Sequence, residues 1–423
     1  MSAGNAEATG TQAADERVLV TGRRLHPRTW PWWGQVLGVY AASRVFTAVV
    51  FLWVARLQEA NLWTAAHPSY FPWVGLMFDG SWYKQIALHG YPSSIPLDAA
   101  GGVKQNAWAF FPLYPVLARG VMVVTRLPWD VAAPLLSTVL AAGAVLLIHR
   151  CVAHGAPRAV ERWPGLPLAT VALVCVFPTS PVLQTAYTES LALLLVAGAL
   201  LAMVRRRYAW AAVVIVLLGL TRAVALPMAV VVVAHAGVRW WGARKGRDEL
   251  RPRTALALAA LAVLAVASGF LWPAICGWVT GDPSAYLATQ ESWRGLHSVT
   301  PFIGWTYVPQ FWFGGTWALV VVPALVFTAA VLLAPSAFRL GRELHAWAAA
   351  YVVYIAAVVE PGSSVARFLI LAFPLGAATA GAVGRTRRGR AAWLAFVMVL
   401  MLGLQVLWVR QIWLFNPHGD WPP

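Results

Sequence analysis

The chain has 423 residues, of which 60% are hydrophobic and 11% charged, and its 32 Lys+Arg against 16 Asp+Glu give a formal net charge of +16. An average soluble domain is about 25% charged, so this composition excludes soluble multidomain proteins and disordered chains, and three Cys are too few for a disulfide scaffold. A multi-pass membrane protein remains.

The first 16 residues are rich in Ala, Gly, Thr and acids, with no basic region leading into a short apolar core. They read as a tail rather than a cleavable signal. Arg17, Arg23, Arg24 and Arg28 then precede the first long apolar run, which predicts a cytoplasmic tail over 1–34 and an uncleaved signal anchor. A spanning helix needs about 20 mostly apolar residues. Eleven runs qualify, centred near Ala48, Leu140, Leu173, Leu195, Val214, Val231, Val263, Leu325, Val353, Leu375 and Met398. Continuous runs of this kind exclude a closed barrel. The predicted fold class is therefore an all-α polytopic membrane domain over 35–414, with a short C-terminal tail over 415–423.

The longest polar stretch, 57–130, ends in an apolar piece, 110–127, that Pro112, Pro115, Arg119 and Arg126 interrupt. If that piece lies in the interface, the cytoplasmic segments collect the four N-terminal arginines, Arg150, Arg158, Arg162, Arg205 to Arg207, Arg239, Arg244, Lys245, Arg247, Arg251, Arg253, Arg339, Arg342, Arg385, Arg387, Arg388 and Arg390. These are 22 of the 32 basic residues. If it spans, every later loop inverts, so the bias of basic residues toward the cytoplasm selects the interfacial reading. The positive charge then reports topology rather than nucleic acid, since no stretch interleaves bases and aromatics on a polar face. Cys151, Cys175 and Cys276 are isolated and read as apolar filler.

The same topology places the 57–130 loop, the turns around Tyr187 and Arg222, the 277–315 loop and the 360–364 turn on the external side. Polar residues that look misplaced gather there. If Asp79 caps a helix, Trp82, Ile86 and His89 share one face and Gly90 ends it. Asp79 is then a helix cap, or a general base that takes a proton from a hydroxyl acceptor; both hold if its carboxylate faces a cavity. Phe110-Phe111-Pro112-Leu113-Tyr114-Pro115 is a rigid aromatic corner or the lining of a groove for a prenyl chain. Glu189 opens the fourth span, where it answers the helix dipole or touches a substrate hydroxyl.

Arg222 and Arg367 are expected at the external N-terminal ends of spans, where a cation opposes both the dipole and the charge bias. Such placement calls for an anion, either Glu360 in the case of Arg367 or a phosphate gripped through paired hydrogen bonds. Arg44 lies mid-span and must face the bundle interior or a cavity. Gln290, Glu291 and His297 are acceptor contacts or parts of a solvated loop. No DxD, HExxH, P-loop or GxSxG occurs, so neither metal-assisted nor nucleotide-cradling chemistry is indicated.

Asp79 with Trp82-Tyr83, Ile86-Ala87 and Gly90-Tyr91, followed by Phe110 to Pro115 and Tyr187-Thr188-Glu189-Ser190, resembles the PIG-V family. These are polytopic GT-C mannosyltransferases related to GPI mannosyltransferase 2. Thr221-Arg222 and Arg367-Phe368 with Phe373-Pro374 match later landmarks, and Phe78 stands where the family more often has Trp. The resemblance runs from the first span to about Pro374. It implies a GT-C fold and inverting transfer of mannose from a polyprenyl- or dolichyl-phosphate donor to a glycan or glycolipid acceptor on the non-cytoplasmic face. It further implies Asp79 as catalytic base and Arg222 and Arg367 on the donor phosphate. Trp82, Tyr83, His89, Tyr114, Tyr187 and Glu189 are then expected to bind substrate, with membrane lipids as partners and neither metal nor cofactor beyond the lipid donor. The Ala, Arg, Gly and Trp bias suggests a GC-rich bacterial genome, hence a plasma membrane with the site facing outside and an acceptor other than a GPI precursor. A lipid or glycolipid transporter or flippase is the alternative. It predicts inverted repeats and ionisable residues deep in several spans, whereas only Arg44 is deep here.

Overall fold

The computed structural model describes residues 30–295, 297–382 and 386–417. The N-terminal cluster Arg17, Arg23, Arg24 and Arg28, Arg385, and the last six residues of the predicted C-terminal tail lie outside them. Among the described residues the regular elements are helical, and the only extended pairing is one isolated bridge between Leu97 and Val103. Six helical stretches among the described residues are long and apolar enough to cross a membrane, so the protein is an all-α polytopic membrane protein.

In chain order the helices are α1 (Trp32–Ala55), α2 (Tyr70–Leu76), α3 (Asp79–His89), α4 (Leu113–Thr125), α5 (Trp129–Gly155), α6 (Leu166–Val176), α7 (Glu189–Val204), α8 (Tyr208–Gly219), α9 (Ala225–Arg244), α10 (Pro252–Thr280), α11 (Ala285–Ser292), α12 (Trp317–Leu333), α13 (Arg342–Val358), α14 (Ser364–Phe368), α15 (Pro374–Ala380) and α16 (Arg387–Trp408). Each of the eleven apolar runs falls on one of these helices. Not all are full spans. α6 and α8 have 11 and 12 residues, a rise of about 17–18 Å against a hydrocarbon core of roughly 30 Å. α4, with 13 residues, rises about 20 Å and ends at Arg126 in a left-handed conformation.

The short helices stop where the chain turns into buried irregular segments. α6 ends ahead of Pro178, and from Thr179 to Glu189 every residue is buried while the backbone passes through a 3-10 turn over Ser180–Gln184. α14 and α15 are likewise separated by a 3-10 turn at Leu369–Leu371. Irregular backbone at membrane depth survives only when protein surrounds it. Here Arg44 of α1 does part of that work. Its Nη1 donates to the Ser180 carbonyl at 2.6 Å, and its Nη2 donates to the Cys175 carbonyl at 2.9 Å and to Ser180 Oγ at 3.2 Å. The last carbonyls of a helix lack intrahelical donors and carry partial negative charge. Arg44 is therefore a buried cap for a broken helix.

Contacts between loops define two ends of the bundle. At one, Trp129 at the start of α5 donates to the Gly75 carbonyl. At the other, Arg206 and Arg239 share Asp248, and Gly341 (φ 85°) packs so closely that a Cβ there would fall 1.9 Å from the Gly155 carbonyl at the end of α5. The 27 residues of α5 separate the two ends by about 40 Å.

Candidate functional site

The site lies at the Trp129 end, and α3 supplies its first acid. Asp79 is the first residue of α3, not its cap; the capping position belongs to Phe78, whose backbone sits at φ 49° and ψ −119°. A positive φ is uncommon for a bulky residue and is held only by its surroundings. Phe78 is buried and packs against Trp63 and Trp413 at ring-centroid distances of 4.9 and 5.9 Å. Gly80 fixes the other side, since a Cβ there would fall 2.7 Å from the Gly75 carbonyl. Tight backbone on both flanks aims the Asp79 side chain. Gly90 at φ 75° then ends the helix, as its sequence position predicts.

Four charged residues from four separate segments meet here. Arg367 Nη1 donates to Asp79 Oδ2 at 2.7 Å, and its Nε lies 3.2 Å from Glu189 Oε1 without hydrogen-bond alignment. Arg222 Nη1 donates to the same Glu189 oxygen at 2.6 Å and to Thr188 Oγ1 at 3.0 Å. Two carboxylates and two guanidiniums make the cluster electroneutral. Its members differ in access: the side chain of Glu189 is 1% exposed and that of Arg367 6%, against 16% for Arg222 and 21% for Asp79. Asp79 is thus the acid that a molecule outside can reach, and Glu189 is the internal counter-charge. Glu189 also occupies the first turn of α7, where the helix dipole favours an acid.

Aromatic rings wall the cluster. The Arg222 guanidinium lies 4.3 Å from the Phe368 ring centroid, and that of Arg367 lies 4.8 Å from Tyr187 and 5.0 Å from Phe368. Tyr83 is buried with its hydroxyl 3.4 Å from Thr188 Oγ1, and among the described residues no side chain pairs with the buried Tyr187 hydroxyl. Arg222 commits Nη1 to two acceptors, and among the described residues its Nε and Nη2 have none. A guanidinium with an uncommitted edge can donate to two oxygens of one phosphate.

The face of α3 that begins at Asp79 continues through Trp82, Gln85 and His89, which line a cavity of about 340 Å³ together with Gly90, Tyr91 and Asn106. Trp82 stacks on Phe110 at 5.7 Å and meets Trp293 edge-on at 5.3 Å. The helix therefore joins the acid at its start to an aromatic-walled cavity at its end. His89 is exposed.

Several expected roles are corrected. Arg367 lies in the last turn of the five-residue α14, not at the N-terminus of a span, so the dipole does not oppose it. Its carboxylate partner is Asp79 rather than Glu360, which instead accepts from the Tyr307 hydroxyl. Tyr114 is not free to bind substrate: it is fully buried, with its hydroxyl on the Ala133 carbonyl at 2.9 Å and Ser137 Oγ at 2.8 Å. Phe110 and Phe111 are both 8% exposed and behave as a packed corner rather than a groove wall. His297 stacks on Tyr307 at 4.2 Å. Glu291, with Gln290 in α11, is half-buried. Thr188 and Phe368 join the cluster without a charge to single them out; their sequence signal is their place in the Tyr187-Thr188-Glu189-Ser190 and Arg367-Phe368 motifs. Among the described residues no three His, Cys, Asp or Glu side chains gather.

No family model matches the chain, and no curated protein matches it in sequence. Solved structures with a similar fold include the oligosaccharyltransferase AglB of Archaeoglobus fulgidus in complex with an inhibitory peptide and a dolichol-phosphate. The match has 12% identity over 92% of this chain and 57% of that chain, with a TM-score of 0.46. The Archaeoglobus fulgidus oligosaccharyltransferase in complex with zinc and sulfate matches at 13% identity over 88% of this chain and 54% of that chain, with a TM-score of 0.44. This chain spans little more than half the length of those proteins.

Proposed function

We infer that the chain is an integral-membrane glycosyltransferase of GT-C type. In this reading it moves mannose from a polyprenyl- or dolichyl-phosphate donor to a hydroxyl of a glycan or glycolipid on the non-cytoplasmic face. The observation that carries the reading is the exposed edge of an otherwise buried cluster, where one reachable carboxylate, Asp79, stands beside a guanidinium with unused donors, Arg222. Inverting transfer needs those two functions side by side. The base takes the proton of the acceptor hydroxyl as its oxygen attacks the anomeric carbon, and the cations stabilise the phosphate that leaves with the bonding electrons.

Asp79 is the base in this scheme, and Arg367 positions it through the 2.7 Å contact. Arg222 and Arg367 share the phosphate, while Glu189 balances them when the site is empty. Trp82 and His89 contact substrate along the cavity, and Tyr83 and Tyr187 pack against the charged cluster beside it. The PIG-V resemblance supports the donor, and the apolar bundle supports a lipid-borne one. A transporter would need ionisable groups along a path through the membrane, whereas Arg44 is committed to backbone carbonyls.

The test uses membranes containing the full-length protein, labelled polyprenyl-phosphate mannose and mass analysis of the products. Wild type is expected to build a mannosylated acceptor, and Asp79→Asn to lose transfer by a factor of at least about 100 while its unfolding profile stays cooperative. Undiminished transfer by Asp79→Asn removes the base assignment, and absence of any mannosylated product from wild type removes the donor.

A further inference from the structure

At the opposite end of the bundle from Asp79 there is a second cavity of about 720 Å³, lined in part by Arg162, Trp163, Ser336, Arg339, Leu340 and Arg390. Its three arginines come from three separate segments: the short helix Pro157–Arg162, the residue capping the short helix Pro335–Phe338, and the first turn of α16. None of them has an ion-pair partner among the described residues. Neighbouring bases at this end are accounted for differently, with Arg206 and Arg239 on Asp248 and Arg205 on His154. Arg339 and Arg390 are half-buried, so water does not fully screen their repulsion.

Two further observations point to an anion. Arg390 stands in the first turn of a 22-residue helix, where the helix dipole already presents positive potential. Ser336 is 7% exposed, and among the described residues its Oγ has no hydrogen-bond partner. The remaining wall is apolar: Trp163 lies under the Arg390 guanidinium at 5.7 Å, Leu340 is 2% exposed, and Phe338 beside it is 61% exposed toward the surroundings of the bundle.

We propose that this cavity binds a phosphate headgroup, that of an anionic membrane lipid, with Arg162, Arg339 and Arg390 on the phosphate oxygens and Ser336 Oγ as a neutral donor. Basic pockets between helices near a membrane surface hold such headgroups because the phosphate is attracted there while the acyl chains stay in the bilayer. The site is about 40 Å from Asp79 along α5 and does not depend on the glycosyltransferase reading. It ties together segments 157–163, 335–340 and 387–390, which are otherwise joined by few polar contacts.

The test is native mass spectrometry of the full-length protein released from detergent containing equal phosphatidylglycerol and phosphatidylcholine, with inorganic phosphate as a separate probe. Wild type is expected to retain phosphatidylglycerol in preference to phosphatidylcholine. Each Arg→Gln change should weaken that retention about fivefold, with Ser336→Ala having a smaller effect. The exposed pair Arg387→Gln and Arg388→Gln should change it little. The variant with Arg162, Arg339 and Arg390 all changed to Gln should lose the preference; if it fails to fold, Arg339→Gln alone carries the comparison. Inorganic phosphate bound by wild type but not by the arginine variants, without lipid preference, supports the same chemistry with a soluble source. Equal retention of both lipids by wild type, with no phosphate bound, overturns the proposal. So does phosphatidylglycerol retention that the arginine changes leave intact.

Discussion

Replacing Glu189 with Gln separates the balancing acid from the working one. Glu189 Oε1 receives Arg222 Nη1 at 2.6 Å and faces Arg367 Nε at 3.2 Å, in a side chain that is 1% exposed. Gln keeps the shape and one acceptor oxygen but turns an electroneutral cluster into one with a surplus cation. Removing one partner of a buried pair costs roughly 3–5 kcal/mol, and the retained amide oxygen argues for the lower end, about 3 kcal/mol. Asp79→Asn removes a single guanidinium contact at a side chain that is 21% exposed, so solvent screening reduces its cost to about 1 kcal/mol. The assay is the unfolding midpoint of each full-length variant in one detergent, with and without polyprenyl phosphate. A ligand at 100 times its Kd stabilises by about 2.7 kcal/mol. Because a phosphate also replaces the missing negative charge, the gain should be larger in Glu189→Gln than in wild type. Asp79→Asn proving as destabilising as Glu189→Gln, or a lipid phosphate that shifts both proteins equally, would refute the division of labour between the two acids.

Other outcomes follow from neighbouring geometry. Gly80→Ala sets a Cβ 2.7 Å from the Gly75 carbonyl. Backbone cannot yield as a side chain does, so a loss of about 1–3 kcal/mol and a displaced Asp79 are expected, read as lowered midpoint together with lowered transfer. Arg44→Met removes the Arg44 donor from the Ser180 carbonyl and leaves the Cys175 carbonyl with Ser180 Oγ alone, at about 1–3 kcal/mol; a cooperative transition at the wild-type midpoint would contradict the capping role. In the 245–251 loop, hydrogen bonds from Arg239, reinforced by Arg206, hold the Asp248 carboxyl down to about 2 from its ordinary 3.8. A depressed pKa contributes stability that is fully present above pH about 4 and is lost as pH falls through about 2. Acid titration of the unfolding midpoint should therefore be flatter in Asp248→Asn than in wild type across that window.

How much of this was legible in the sequence depends on the range over which each signal acts. The apolar runs were readable because a stretch of apolar residues carries its own evidence, and so was the turn at Gly90. The gathering of Asp79, Glu189, Arg222 and Arg367 was anticipated because the topology places all four in segments on one side of the bundle. Their pairing was not. Asp79 and Arg367 are 288 positions apart, and no local pattern distinguishes Arg367–Asp79 from Arg367–Glu360. The broken helices were hidden for a related reason: Pro178 and Pro181 mark where the run through Leu173 can turn, but the Arg44 contacts that hold the broken segment go to carbonyls, which have no letter in the sequence.

The balance of two acids and two guanidiniums has a consequence for how the site meets a ligand. A cluster without net charge projects little field beyond the Debye length, about 8 Å at physiological ionic strength. A phosphate reaching Arg222 must gain what it gains by exchanging partners at contact distance, so its affinity should depend little on added salt. The unbalanced arginines at the far end are the opposite case, an open field that salt weakens. One chain of +16 therefore presents an anion with two kinds of surface, one that selects by fit and one that gathers by attraction.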